Sequence, residues 1–191
     1  MNEKITAEAQ FSVNIINLFN PPKPLVLGSW NKRELNMTEA NKLKDMMTRQ
    51  GIKAYTMENM IPIVIERHHV DQACIWSGMS GYGAPPLQLS EEGMQEIKGL
   101  LLAGGRHRIA AVKALRAEAN AKLQALRVQI KEAAERKTTA TEDDDEVEVS
   151  LDQMKIDEEG MVANMTANEH WGVVLYDHGE YDVENEKTAS D

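Results

Sequence analysis

The residues best suited to chemistry lie in one run, Leu100 to Leu115, which reads LLLAGGRHRIAAVKAL. An apolar strand leads into Gly104-Gly105, then into the basic cluster Arg106-His107-Arg108, then into an alanine-rich helix. That order suits an anion. Glycines let backbone N–H groups approach a phosphate, and a helix start supplies unpaired N–H donors and partial positive charge. The guanidinium groups of Arg106 and Arg108 are forks that match phosphate oxygens, and His107 adds a titratable ring. The same spacing also describes a plain glycine turn before a helix, with solvated arginines.

Gly105-Arg106-His107-Arg108-Ile109-Ala110-Ala111 resembles the signature of the ParB/sulfiredoxin superfamily. Sulfiredoxins carry G-C-H-R-Y-A-A there, ParB proteins G-E-R-R-x-R-A, and the free serine kinase branch a similar G-H-H-R. The upstream order fits as well: a polar loop at Asn31-Lys32-Arg33, a helix, a Pro-containing apolar strand, then the glycine–basic unit. The resemblance spans about residues 11–136. It implies a nucleotide site in which Gly104, Gly105, Arg106, His107 and Arg108 line the phosphates, with Arg33 and Lys32 reaching the same nucleotide. The implied ligand is ATP or CTP with Mg2+, bound only, hydrolysed, or used for phosphotransfer. In a reaction His107 orients the substrate or transfers a proton, and Glu66 holds the magnesium or acts as general base. A plain exposed carboxylate paired with Arg67 is the other reading of Glu66.

Departures from the pattern narrow the chemistry. Arg106 stands where sulfiredoxins have their catalytic cysteine and ParB proteins their glutamate, so neither sulfinic-acid reduction nor a CTP clamp cycle is expected. No helix-turn-helix pattern follows Ala111. Arg67 to Gly99, 33 residues, replaces a short connection. A loop that long, with Trp76 and Tyr82 in it, reads as a lid or a partner surface. His68, His69 and Cys74 match no standard zinc spacing. Two further function classes stand beside nucleotide binding: a non-catalytic protein-interaction module with a degenerate pocket, and a DNA-binding or nuclease accessory protein.

The elements that must position these residues follow from local pattern. Phe11 to Phe19 is rich in β-formers, Leu25 to Leu27 is a short strand, and Ile61 to Glu66 is a β-branched run with Pro62 near its start. Thr38 to Gln50 reads as a helix capped by Thr38, ended by Gly51, and apolar along Leu43, Met46 and Met47. Ser90 caps a second, short helix, and Leu100 to Ala103 is a strand. A long helix then runs from about Arg106 to Lys137. On it Val112, Ala119, Leu126 and Ala133 recur every seven residues beside Leu123 and Ile130. Its far half therefore projects, or packs on a partner or on the C-terminal segment; a homodimer is one expected use of the stripe. Trp171 to Tyr176 is the last strand.

Charge is divided unevenly along the 191 residues, whose net charge is −10. Residues 141–191 hold 17 Asp and Glu against two Lys, while residues 1–140 hold 19 Lys and Arg against 14 Asp and Glu, a balance of +5. The mildly basic body suits a phosphate-bearing ligand, and the acidic tail opposes non-specific nucleic-acid binding. A single cysteine excludes an internal disulfide, and no run approaches the ~20 apolar residues of a membrane span. Met1 to Gln10 lacks an apolar core of the secretory kind, so a cytoplasmic or nuclear location is expected. The expected architecture is α/β: a ParB/sulfiredoxin-like domain over 10–136 with an insertion at 67–99, a small mixed sheet and a long C-terminal helix. An acidic linker over 138–170 and a flexible 171–191 tail with one short strand follow.

Overall fold

The computed structural model describes residues 10–28, 34–139 and 145–178. The fold is mixed α/β, with strands β1 (Gln10–Asn17), β2 (Leu25–Leu27), β3 (Ile61–Ile65), β4 (Leu100–Leu102) and β5 (His170–Asp177) and helices α1 (Met37–Gln50), α2 (Glu91–Glu96), α3 (Arg106–Thr139) and α4 (Asp145–Ala167). Two compact units divide it: residues up to Ala110 together with those from Glu169 onward, and residues Ala111–Asn168.

The first unit holds one five-stranded mixed sheet in the order β1-β5-β3-β4-β2. Strand β5 pairs antiparallel with β1 and parallel with β3, so a C-terminal segment forms the interior of the sheet. This corrects the expected domain limit at 136 and the reading of Trp171 to Tyr176 as part of a tail. Trp171, Val173 and Leu175 are at most 1% exposed. Each such side chain is worth ~1.5–3 kcal/mol of burial. The Trp171 indole N–H also donates to the Asn59 carbonyl at 2.8 Å.

Helix α1 is capped by Asn36 rather than Thr38: the Asn36 side-chain oxygen accepts from Thr38 N–H and Glu39 N–H. Asparagine satisfies two of the first-turn donors that the helix itself leaves unpaired. Ala40 and Met47 are buried and Met46 is exposed, which rotates the apolar face from the expected one. Gly51 ends the helix at φ 79°.

The 67–99 segment is a built part of the unit. Val13 N–H donates to the Trp76 carbonyl, Ile15 N–H to Pro85, and Leu87 N–H to Ile15, so the segment runs along β1, whose outer edge it covers. Fully buried Asn14 fastens the join: its amide donates to the Cys74 carbonyl at 2.7 Å and its oxygen accepts from the Ser12 hydroxyl. A buried amide without such partners would cost ~1–3 kcal/mol per unmet bond.

In the second unit α4 occupies most of the stretch expected as an acidic linker. Its less exposed positions, Leu151, Met154, Glu158, Met161 and Met165, alternate in steps of three and four, the spacing of one helix face. On α3 the stripe positions Leu123, Leu126, Ile130 and Ala133 are likewise buried or half-buried. Arg127 Nε donates to Glu158 Oε1 at 2.6 Å, joining the two helices. Helix α4, from the C-terminal segment, thus shares one compact unit with the stripe of α3. None of the described helices is long and apolar enough to cross a membrane.

Candidate functional site

Strand direction decides which candidate residues meet. The antiparallel β3–β4 pairing sets Ile63 against Leu102 and Val64 against Leu101, and Ala103 N–H donates to the Pro62 carbonyl. One end of the sheet therefore holds Ile61, Pro62 and the Gly104-Gly105 turn. The other holds Ile65, Glu66, Gly99 and, through the parallel β3–β5 pairing, Asp177.

At the first end, Gly105 has φ 83°, and a Cβ there would lie 3.0 Å from the Ile61 side chain. Only glycine takes both the left-handed backbone and that close approach without strain. Helix α3 starts at the next residue, with Ile109 N–H donating to the Gly105 carbonyl at 2.9 Å. Gly105 has no side chain with which to cap the first turn of α3. His107 Nε2 accepts the Asn36 N–H at 3.0 Å, which ties the start of α3 to the start of α1. With Nε2 as acceptor, the neutral ring carries its proton on Nδ1. Arg108 Nη2 donates to the Glu58 carbonyl at 2.7 Å, using one of its several N–H groups. Burial pushes the Arg108 pKa down from its ordinary value. The neighbouring Glu58 carboxyl is held below the usual range, first by its own backbone N–H and then by Thr56.

The structure thus gathers Gly104, Gly105, Arg106, His107 and Arg108 on one turn and adds Asn36 and Glu58, which no sequence motif marks. Lys32 and Arg33 lie outside the described residues. Their described neighbours Gly28, whose N–H donates to Leu102, and Asn36, bonded to His107, both reach this end of the sheet. Glu66 does not join them. It lies four residues beyond Pro62, about 13 Å along the strand. The expected pairing of Glu66 with His107 as catalytic groups, with Glu66 holding the nucleotide's magnesium, is therefore corrected. The C-terminal ends of two strands coincide in a parallel pair, and β3 and β4 are antiparallel.

Glu66 instead meets His68 and His69, and His69 in turn meets Glu92 and Glu96, a cluster no sequence spacing singled out. The signal for it was the i, i+4 placement of Glu92 and Glu96 on a capped helix, but only tertiary packing brings that helix to His69. Cys74 is apart from this cluster's donors: it is buried, and its thiol lies 3.5 Å from the Gln88 carbonyl.

A family model described as "Protein of unknown function (DUF3723) N-terminal domain" matches residues 11–123, more than half of the chain. The chain belongs to this family. The matched stretch of the DUF3723 N-terminal domain carries β1 to β4 and the glycine–basic turn, whereas β5, inside the sheet, comes from beyond it. No curated protein and no solved structure matches the chain.

Proposed function

We propose that this DUF3723 N-terminal domain is a nucleotide-binding module that holds the phosphates of ATP or CTP at the Gly104–Arg108 turn, as the ParB/sulfiredoxin proteins it resembles do. The observation that carries the reading is the His107–Asn36 bond: two helix starts meet behind a glycine turn that bears two arginines. Helix starts carry about half a positive charge each, and the start of α3 itself bears the guanidinium groups of Arg106 and Arg108. His107 acts by position, since its Nε2 lone pair is already engaged. Lys32 and Arg33 complete the reading as contacts to the same nucleotide.

Glu66 does not fit the magnesium role that the resemblance implies, because it lies at the opposite end of the sheet. Because Glu66, the implied general base, does not reach the turn, binding is favoured over hydrolysis or phosphotransfer. A second reading, a protein-interaction surface, rests on Trp76, Met79 and Tyr82, large side chains left exposed on the 67–99 segment.

Calorimetric titration with ATP and CTP tests the first reading. Arg108→Ala removes a charged hydrogen-bonding group worth ~1.5–3 kcal/mol, so affinity should fall by about ten-fold or more. Equal affinity in a folded Arg108→Ala variant would remove the arginine from the site.

A further inference from the structure

A second site lies at the other end of the sheet. The chain leaves β3 at Glu66 and enters a tight turn, Arg67–His69, against which α2 packs. Ser90 fastens the two, its N–H donating to the His69 carbonyl and its hydroxyl to the His68 carbonyl, each at 2.9 Å. Gly93 makes the approach feasible: a Cβ there would lie 2.3 Å from the His69 carbonyl oxygen. Glu92 and Glu96, on either side of that glycine, are thereby brought over the histidines.

The distances among these side chains are informative. His69 Nε2 lies 3.3 Å from Glu96 Oε2, and His68 Nε2 lies 3.4 Å from Glu66 Oε2 and 3.9 Å from Glu92 Oε1. Strong hydrogen bonds between imidazolium and carboxylate are shorter, about 2.7–2.9 Å. Metal–ligand bonds of about 2.1 Å, by contrast, set neighbouring donors of a tetrahedron about 3.4 Å apart. Donor atoms of Glu66, His68 and His69 all lie within 4.8 Å of one another, as do those of His69, Glu92 and Glu96, and His69 belongs to both sets. Two imidazoles among carboxylates suit a first-row divalent ion such as Zn2+ rather than Mg2+, which prefers oxygen and water.

We propose that His69, Glu92 and Glu96 bind one divalent transition-metal ion, zinc above all, with Glu66 and His68, which form the second set around His69, in reach as further ligands. The ion borders a cleft of about 390 Å3 lined by Glu66, His69 and Glu96 together with Lys98 and His178. An ion there has protein donors on one side and room on the other for water or an exogenous ligand, the pattern of an open rather than a sealed metal site. This inference stands independently of the nucleotide site.

The test uses the full chain freed of metal by a chelator. Co2+ is titrated by visible absorption and Zn2+ by competition, for wild type, His69→Gln, Glu96→Gln and, as a control at the far end of β5, His170→Gln. The expected result is saturable binding of one equivalent in wild type and His170→Gln, weakened about ten-fold or more in the other two. Glu96 is 60% exposed, so its variant keeps the test valid even where His69→Gln perturbs folding. No saturable binding in wild type, or undiminished binding in Glu96→Gln, would overturn the proposal.

Discussion

Gly105 and Gly51 share a positive φ, 83° and 79°, but their surroundings differ. A Cβ at Gly51 meets nothing within 4 Å, whereas one at Gly105 presses on Ile61 at 3.0 Å. Alanine at Gly51 should therefore cost only the backbone term, ~1–2 kcal/mol, and alanine at Gly105 that term plus the displacement of a buried isoleucine. Urea unfolding of the two variants checks the order, and equal losses would mean that the turn does not press on β3. At this scale the sequence was informative where a residue's type dictates its backbone: Gly51, Ser90 and the double glycine stand where expected. It was less so where two neighbours compete. Asn36 and Thr38 are both good caps, and nothing local says which is used. Nor did any pattern indicate that His107 would accept a backbone N–H from a residue so distant in sequence.

Elements were largely legible because each carries its own periodicity. All five strands stand where β-branched and apolar runs lie, and α3 follows its alanine content. The 67–99 segment was not legible as a packed structure, since its order comes from bonds to β1 and from the buried Ser12–Asn14 pair rather than from a repeating pattern. Its role as an edge cover makes a prediction that a mobile lid does not. Amide hydrogens of Val13, Ile15 and Leu87, which bridge β1 and this segment, should exchange slowly, close to the rate of the sheet interior. Exchange as fast as that of exposed loop amides would show that the segment opens freely. The acidic stretch was misread for a related reason: its charge argued for a solvated linker, while its Leu and Met residues at steps of three and four argued for a helix face.

At the scale of the molecule, the C-terminal strand is the feature that changes most. A chain ending at Lys137 keeps the whole family-matched stretch, yet loses β5 from between β1 and β3. The buried side chains of β5 represent several kcal/mol, comparable with the ~5–15 kcal/mol that stabilises a typical domain. That chain should lack a cooperative thermal transition, while one ending at His178 should keep it; a folded chain ending at Lys137 would contradict the placement of β5. Sheet direction likewise separates the functional ends, which linear order had merged, so the glycine–basic turn stands or falls without Glu66. The most direct test of the central claim, phosphate binding at that turn, is amide chemical-shift mapping of the full chain during ATP and CTP titration. The account predicts saturable shifts concentrated on Asn36, Gly105, Arg106, His107 and Arg108. Shifts concentrated instead on Glu66, His69 and Glu96, or none at saturating nucleotide, would contradict it.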